Sequence, residues 1–243
     1  MCADPNNLPF SNAAQEGFEN RIVALISRRL RRPVEYTWWA QRRGFVRNTL
    51  NAGACDLVPG TGSGVEMLAT TRPYYRSTYV FVSRADRGLR IRSLDDSALR
   101  HLRIGVQLIG DDGANTPPVQ ALANRGLSRN VVGYTVYGNY ADAHPQSAII
   151  QAVARGDIDL AIVWGPLAGY FARQSKAPIE LVPVSPRIDL PFLPFVFDVA
   201  MGVRRRDTTL RAEIDTVLAQ ERPAIDSILD AYGVPRVGRA GKP

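Results

Sequence analysis

Histidine, cysteine and long apolar runs are all scarce in this chain, and each scarcity removes a class of function. Only two histidines, His101 and His144, stand among 243 residues. Neither has a cysteine or an acidic pair beside it at metal-ligand spacing, so no metal centre and no histidine-based catalysis are expected. The longest apolar stretch, Leu160 to Phe171, is interrupted by Gly165-Pro166 and falls well short of the ~20 residues that span a bilayer. Membrane insertion is therefore not expected. The segment Gly60-Thr61-Gly62-Ser63-Gly64 lacks the Lys-Ser/Thr of a phosphate-binding loop and the spacing of a dinucleotide fingerprint. It reads as a flexible turn, and no cofactor is expected.

Charge is abundant, and mostly of one sign. The formal net charge is +7 and the pI about 9.8, with arginine as the dominant cation. Arg28, Arg29, Arg31 and Arg32 close the first predicted helix, where cations complement the helix dipole, and Arg204-Arg205-Arg206 ends a late predicted strand. No aromatic residues interleave with these runs, so they read as solvated ends of elements and not as a nucleic-acid surface. The excess directs attention to partners that carry acid groups.

Two stretches repeat one pattern. Leu50-Asn51-Ala52-Gly53-Ala54-Cys55-Asp56-Leu57-Val58-Pro59-Gly60 and Val153-Ala154-Arg155-Gly156-Asp157-Ile158-Asp159-Leu160-Ala161-Ile162-Val163-Trp164-Gly165 each run from a helix end through a glycine and an aspartate into a short apolar strand. Gly53 and Gly156 suit the left-handed position that ends a helix, and the apolar runs suit strands buried on both faces. Two matching α/β units predict two lobes of about 100 residues each, a size that can still bury a core.

Element by element, Phe18, Ile22, Leu25 and Ile26 fall at helical spacing and predict a first helix that Pro33 stops. A strand is expected over 34–39, a second helix over 43–52, and a third strand beginning near Cys55. Ser77 to Val82 is expected to leave the first lobe. The second lobe is expected to alternate strands over 103–107, 134–137 and 158–163 with helices from Pro117 and over 146–155. A long strand over 192–203 is expected to bring the chain back, followed by helices over 210–219 and 224–232. Trp38 and Trp39 are adjacent on a strand and must face opposite ways, so one of them is expected in the core.

If the first lobe is doubly wound, its strands run in the order 2-1-3, and Cys2 and Cys55 lie on neighbouring strands at similar depth. A Cys2–Cys55 disulfide is then geometrically allowed and suits an exported protein; two buried thiols in a reducing compartment are the alternative. Met1 stands directly before Cys2-Ala3-Asp4, where a strand is already under way. So little lead-in is expected of a mature chain whose leader has been replaced by an initiator Met.

Several strings resemble a known family. Cys2-Ala3-Asp4-Pro5-Asn6-Asn7-Leu8-Pro9-Phe10-Ser11, Tyr36-Thr37-Trp38-Trp39, Thr71-Arg72-Pro73-Tyr74-Tyr75 leading through Arg76-Ser77-Thr78-Tyr79 to Val82, Gly156-Asp157-Ile158-Asp159, and Val163-Trp164-Gly165-Pro166-Leu167-Ala168-Gly169-Tyr170 are similar to periplasmic solute-binding proteins of the two-crossover type. More narrowly, they resemble the quinoprotein-dehydrogenase-associated branch, the J-type accessory proteins encoded beside methanol dehydrogenases. The resemblance covers nearly the whole chain. It implies an α/β fold of the type II periplasmic binding proteins, with two doubly wound lobes joined by two crossover strands. Residues 1–82 plus 199–243 would form lobe one and 83–198 lobe two, with a hinge near 80–84 and 195–202. It also implies a periplasmic, monomeric, non-enzymatic protein whose partner is a pyrroloquinoline-quinone (PQQ)-dependent methanol or alcohol dehydrogenase.

Amino-acid receptors of this fold present an arginine to the ligand carboxylate and an aspartate, just after the strand matching 158–163, to the ligand amine. Here Trp164 stands at the aspartate's place and the usual Thr-x-x-Arg segment before Pro73-Tyr74 looks shortened, which argues against a free amino acid. In doubly wound sheets ligands sit beyond the carboxyl ends of the strands. That rule collects Asn6, Asn7, Trp39, Arg42, Pro59, Thr61, Tyr74, Arg76, Asp111, Asn115, Asn139 and Trp164, a mixture suited to a small flat ligand or a peptide segment of another protein. Two further readings stand beside the accessory role. One is a transporter receptor for a small non-amino-acid solute; the other is an enzyme using Asp111 and Asp112 as acid and base.

Overall fold

The structure, a computed structural model, describes residues 1–109, 115–136 and 140–238. Short strands β1 (Cys2–Ala3), β2 (Asn6–Asn7) and β3 (Ser11–Asn12) precede helix α1 (Phe18–Leu30). Then come β4 (Thr37–Trp38), α2 (Phe45–Asn48), β5 (Val58–Gly62), β6 (Ala69–Thr70) and the long β7 (Tyr75–Arg84). They are followed by β8 (Ile104–Leu108), α3 (Pro117–Asn124), β9 (Val131–Thr135), α4 (Ala148–Arg155), β10 (Leu160–Trp164) and α5 (Gly165–Gln174). The chain closes with β11 (Ile179–Pro183), the hairpin β12 (Ile188–Asp189) and β13 (Leu193–Pro194), β14 (Val196–Val203), α6 (Thr208–Gln220) and α7 (Arg222–Ala231). Two compact units result. One holds Met1–Arg76 and Phe197–Tyr232 with Gly238; the other holds Ser77–Val196 and Gly233–Val237.

In the first unit β1 pairs in parallel with β4, Cys2 opposite Thr37 and Ala3 opposite Trp38. On the other side of β1, the Cys2 N–H donates to the Leu57 carbonyl just before β5 at 2.8 Å. The 2-1-3 order expected from the sequence is therefore present. β14 then runs antiparallel beside β5, with Val199 opposite Gly62, and also carries β6. The second unit repeats the plan: β9, β8 and β10 are parallel in the same 2-1-3 order, β7 runs antiparallel beside β10, and β11 pairs with β7. The repeat legible in the sequence is thus a repeat of topology.

Helix α1 forms where Phe18, Ile22 and Ile26 bury one face. It starts at Gly17, whose N–H donates to Asn20 Oδ1 at 3.1 Å. A Cβ on Gly17 would lie 2.0 Å from the Phe10 carbonyl oxygen, so close backbone approach demands glycine there. Helix α4 ends at Gly156 with φ 80°, as its left-handed cap required. Phe81, Leu94, Leu99, Ile104, Leu122 and Phe195 lie among the buried side chains of the second core.

Several boundaries differ from the sequence reading. The strand expected over 34–39 forms only at Thr37–Trp38, because β1 offers just two residues to pair with. The helix expected over 43–52 is a single turn: Gly44 enters it at φ 84° and Thr49 leaves helical geometry. Gly53 is left-handed at φ 77°, but it sits in a turn beyond that helix. Gly60 to Gly62 belong to β5 and are not a loose turn, since Thr61 and Gly62 pair with Ala200 and Val199. The strand expected over 192–203 is interrupted, so that β13 closes a hairpin and β14 begins at Val196. The strand expected over 134–137 covers Val131–Thr135; Tyr137, its expected end, lies outside the described residues.

Cys2 and Cys55 are joined in a disulfide with their Cα atoms 5.6 Å apart, closing a sequence separation of 53 residues. Both are buried with Phe45, Leu50, Val58 and Leu68. A thiol titration of the unfolded, unreduced protein is expected to find no free thiol at these positions. Replacing both cysteines by serine is expected to cost up to ~4 kcal/mol of stability in chemical denaturation, the loop-closure value for a crosslink of this span.

Candidate functional site

The carboxyl ends of the strands are built separately in each unit. In the first, Asp4 follows β1 and is buried, so its charge must be matched by donors. Its Oδ1 accepts the Asn6 N–H at 2.8 Å and its Oδ2 the Gln41 N–H at 2.7 Å. Its carbonyl accepts the Ser11 hydroxyl. Asn7 reaches the same loop, donating to Gln41 Oε1 at 3.2 Å. Asn6 and Asn7 therefore stand on a short hairpin, paired with Asn12 and Ser11, that Asp4 ties to the loop after β4. Trp38 stacks on Tyr36, centroids 4.6 Å apart and planes 6° from parallel. Trp39 points away, 47% exposed, and Arg42 is exposed on the same loop.

Four other collected residues divide into core and surface. Pro59 is buried, and Tyr74 is only 2% exposed with its hydroxyl donated to the Pro59 carbonyl at 3.0 Å. Both hold the inside of the unit together and do not present a ligand-facing surface. Thr61 is half-buried in β5. Arg76 is half-buried and engaged bidentately by Asp198, Nε to Oδ1 at 2.7 Å and Nη2 to Oδ2 at 2.6 Å. That hydrogen bonding raises the guanidinium pKa above its ordinary value. The Arg76 cation is thus matched within its own unit.

In the second unit Trp164 ends β10 and caps α5. Its ring meets Tyr79 edge to face, centroids 5.4 Å apart, and the Trp164 backbone N–H donates to Gln107 Oε1 at 3.2 Å. Gln107 is buried near the end of β8, and its carbonyl accepts the hydroxyl of buried Thr116 at 2.6 Å. Burial pushes the Tyr79 phenol up, so it stays a neutral donor. A Cβ on Gly165 would lie 2.5 Å from the Thr78 carbonyl oxygen, which lets α5 start against β7 and sets Trp164 in place. Asn115 is exposed at the foot of α3. Asp111, Asp112 and Asn139 lie outside the described residues. Among those described, exposed Asn115 and half-buried Trp164 are neutral groups suited to apolar, aromatic and amide contact, while Gln107 and Thr116 are buried and hold them from within. Gln107 and Thr116 escaped sequence reasoning because neither belongs to a charged or glycine-marked motif.

Glu19 also escaped it. This residue is 7% exposed in the first turn of α1, and its carboxyl lies on Gly60, where an added Cβ would meet Oε1 at 2.1 Å. The buried Tyr74 and Tyr75 rings stand close by, and burial is the main cause that lifts both phenols. Burial raises the Glu19 carboxyl from 4.5 to about 8. Desolvation is the cause of that rise, and the group is mostly protonated at pH 7. The only sequence sign was an acid placed where the apolar helix face should continue.

Metal binding gains no support from clustering: among the described residues no group of three or more His, Cys, Asp or Glu is placed to hold an ion. None of the described helices is long and apolar enough to cross a membrane.

Glu19 generates a pH prediction. The unfolded chain releases this proton near 4.5 and the folded one near 8, so the Glu19 contribution is most favourable below the lower value and is lost as pH rises through the upper. Glu19→Gln is expected to raise the melting temperature by on the order of 5 °C near pH 8.5 and by much less near pH 4.5. An equal shift at both pH values, read by scanning calorimetry, would contradict the assignment.

Comparison with known proteins accords with this geometry. The profile of the bacterial extracellular solute-binding proteins matches residues 45–210, more than half of the chain. Protein MoxJ of Methylorubrum extorquens AM1 is 31% identical over 93% of this chain and 78% of its own length. The crystal structure of MxaJ from Methlophaga aminisulfidivorans MPT superposes with a TM-score of 0.84 at 26% identity, covering 97% of this chain and 98% of that one. The crystal structure of the periplasmic binding protein XoxJ from Methylobacterium extorquens AM1 superposes with a TM-score of 0.79 at 34% identity, covering 98% of both. With a periplasmic-binding-protein fold and a likeness that runs the length of the chain, this protein belongs to the bacterial extracellular solute-binding proteins, in the branch of MoxJ, MxaJ and XoxJ.

Proposed function

We propose that the chain is a periplasmic, non-enzymatic accessory protein that engages a PQQ-dependent methanol or alcohol dehydrogenase and supports its assembly or activation. The observation that carries this reading is Trp164. It stands, with neutral Gln107 and Thr116 beside it, where an amino-acid receptor needs a carboxylate. A free amino acid would leave its ammonium unmatched there, whereas an apolar or amide segment of another protein would not. The bidentate Arg76–Asp198 pair supports the same conclusion from the first unit. The net charge of +7 favours fast association with an acidic protein.

Membership of the solute-binding family supports a second reading, a transporter receptor for a small non-amino-acid solute. The two readings differ in what binds.

Purified dehydrogenase from the same organism, immobilised for interferometry, is expected to bind the protein saturably at low salt and more weakly at moderate salt. Trp164→Ala is expected to weaken that binding by about tenfold or more. If the dehydrogenase binds at neither salt, with or without its quinone, while a small solute compacts the protein in small-angle scattering, the receptor reading replaces this one.

A further inference from the structure

The strongest departure from an ordinary protein surface lies in the second unit, at the hairpin of β12 and β13. Ile188, Leu190 and Phe192 are 62%, 82% and 89% exposed. Single exposed apolar residues are common, but three large ones on one short hairpin form a patch of the few-hundred-Å² class, about 300–600 Å², that marks interaction surfaces. Asp189 between them is turned inward and only 7% exposed, so the alternation is that of a strand with its polar residue in and its apolar residues out.

The inward face is firmly held. Arg125 at the end of α3 donates to both oxygens of Asp189, at 2.6 and 2.9 Å, and also to Asp95, at 2.8 and 2.9 Å. Ile188 pairs with Pro194 and Asp189 with Leu193. Leu193 packs on the second core, where Phe195 is fully buried. The apex Leu190-Pro191-Phe192 is thus a rigid apolar projection that loses little freedom on binding.

We propose that this apex is a docking knob whose Leu190 and Phe192 seat in an apolar pocket on a folded, acidic protein; resting on the function proposed above, that protein is the quinoprotein dehydrogenase. Three properties select this occupant. A stable interface buries about 800 Å² per partner, and two identical projecting apices set against each other bury far less, which disfavours a second copy of the chain. Binding to an anionic lipid surface needs a cluster of free cations beside the apolar residues, yet Arg125 beneath the apex is held by two carboxylates and exposed Arg187 is the one cation within residues 185–194. A concave pocket on a protein needs neither, and a seated aromatic ringed by polar contacts is the usual anchor of such interfaces.

The test compares wild type with the double variant Leu190→Ser, Phe192→Ser, whose exposed positions leave the melting temperature within about 2 °C, and with the conservative Phe192→Leu. Binding to the purified dehydrogenase is read by interferometry at moderate salt. The double variant is expected to bind at least tenfold more weakly, mainly through faster dissociation, and Phe192→Leu is expected to keep most of the affinity. Equal binding by wild type and double variant overturns the knob and leaves the accessory function standing. Absence of binding by wild type overturns both. Wild-type self-association in sedimentation, or pelleting with phosphatidylglycerol vesicles, that the double variant abolishes would reassign the apex to a second copy or to lipid and overturn the proposal.

Discussion

The ion pair between Arg76 and Asp198 joins the places where the chain first leaves and first re-joins the first unit. Arg76 is the last residue before the chain passes to the second unit, and Asp198 is the second residue after it returns. A half-buried guanidinium with a bidentate carboxylate is among the stronger polar contacts a protein makes, and removing either partner leaves the other charge uncompensated. The pair therefore fixes β7 and β14 at their shared end, on which the antiparallel completion of the first sheet relies. It also leaves the Arg76 guanidinium already matched by a carboxylate of its own unit.

The same demand, that charge taken from water be matched, shapes the other sites. Asp4 is buried and answers it with two backbone N–H donors from different loops, which makes a carboxylate into a splice. Asp189 answers it with Arg125, and the result is a hairpin whose apolar residues have only solvent to face. Glu19, buried under the same demand, keeps its proton instead. Among the described residues at the strand ends of the second unit, Trp164, Gln107 and Thr116 are neutral and are positioned by backbone and buried hydrogen bonds. Neutral, rigid and partly aromatic surface is better matched to protein segments or uncharged solutes than to zwitterions.

Much of this was legible in the sequence, for identifiable reasons. Gly156 followed by an aspartate and an apolar run marked the α4–β10 junction because a left-handed cap and a doubly covered strand each have a compositional signature. The neighbouring positions of Cys2 and Cys55 followed from the 2-1-3 order alone. The failures also have physical causes. Gly60 and Gly62 read as a turn because glycine usually signals backbone freedom, whereas at Gly60 it makes room for the Glu19 carboxyl. Tyr74 was collected with the ligand-facing residues by the strand-end rule, but its hydroxyl is drawn inward by the Pro59 carbonyl. Gln107, Thr116 and the Arg125–Asp189 contact join residues distant in sequence, and no local pattern announces such partners.

The central claim, that the protein serves a quinoprotein dehydrogenase, is tested most directly in the cell. Periplasmic PQQ-dependent alcohol dehydrogenase activity, with the amount of assembled enzyme measured alongside, should be compared between the parent organism and a strain lacking only this chain. The account predicts a marked loss of active dehydrogenase that expression of the wild-type chain restores. Unchanged activity and unchanged assembled enzyme in the deletion strain would contradict it.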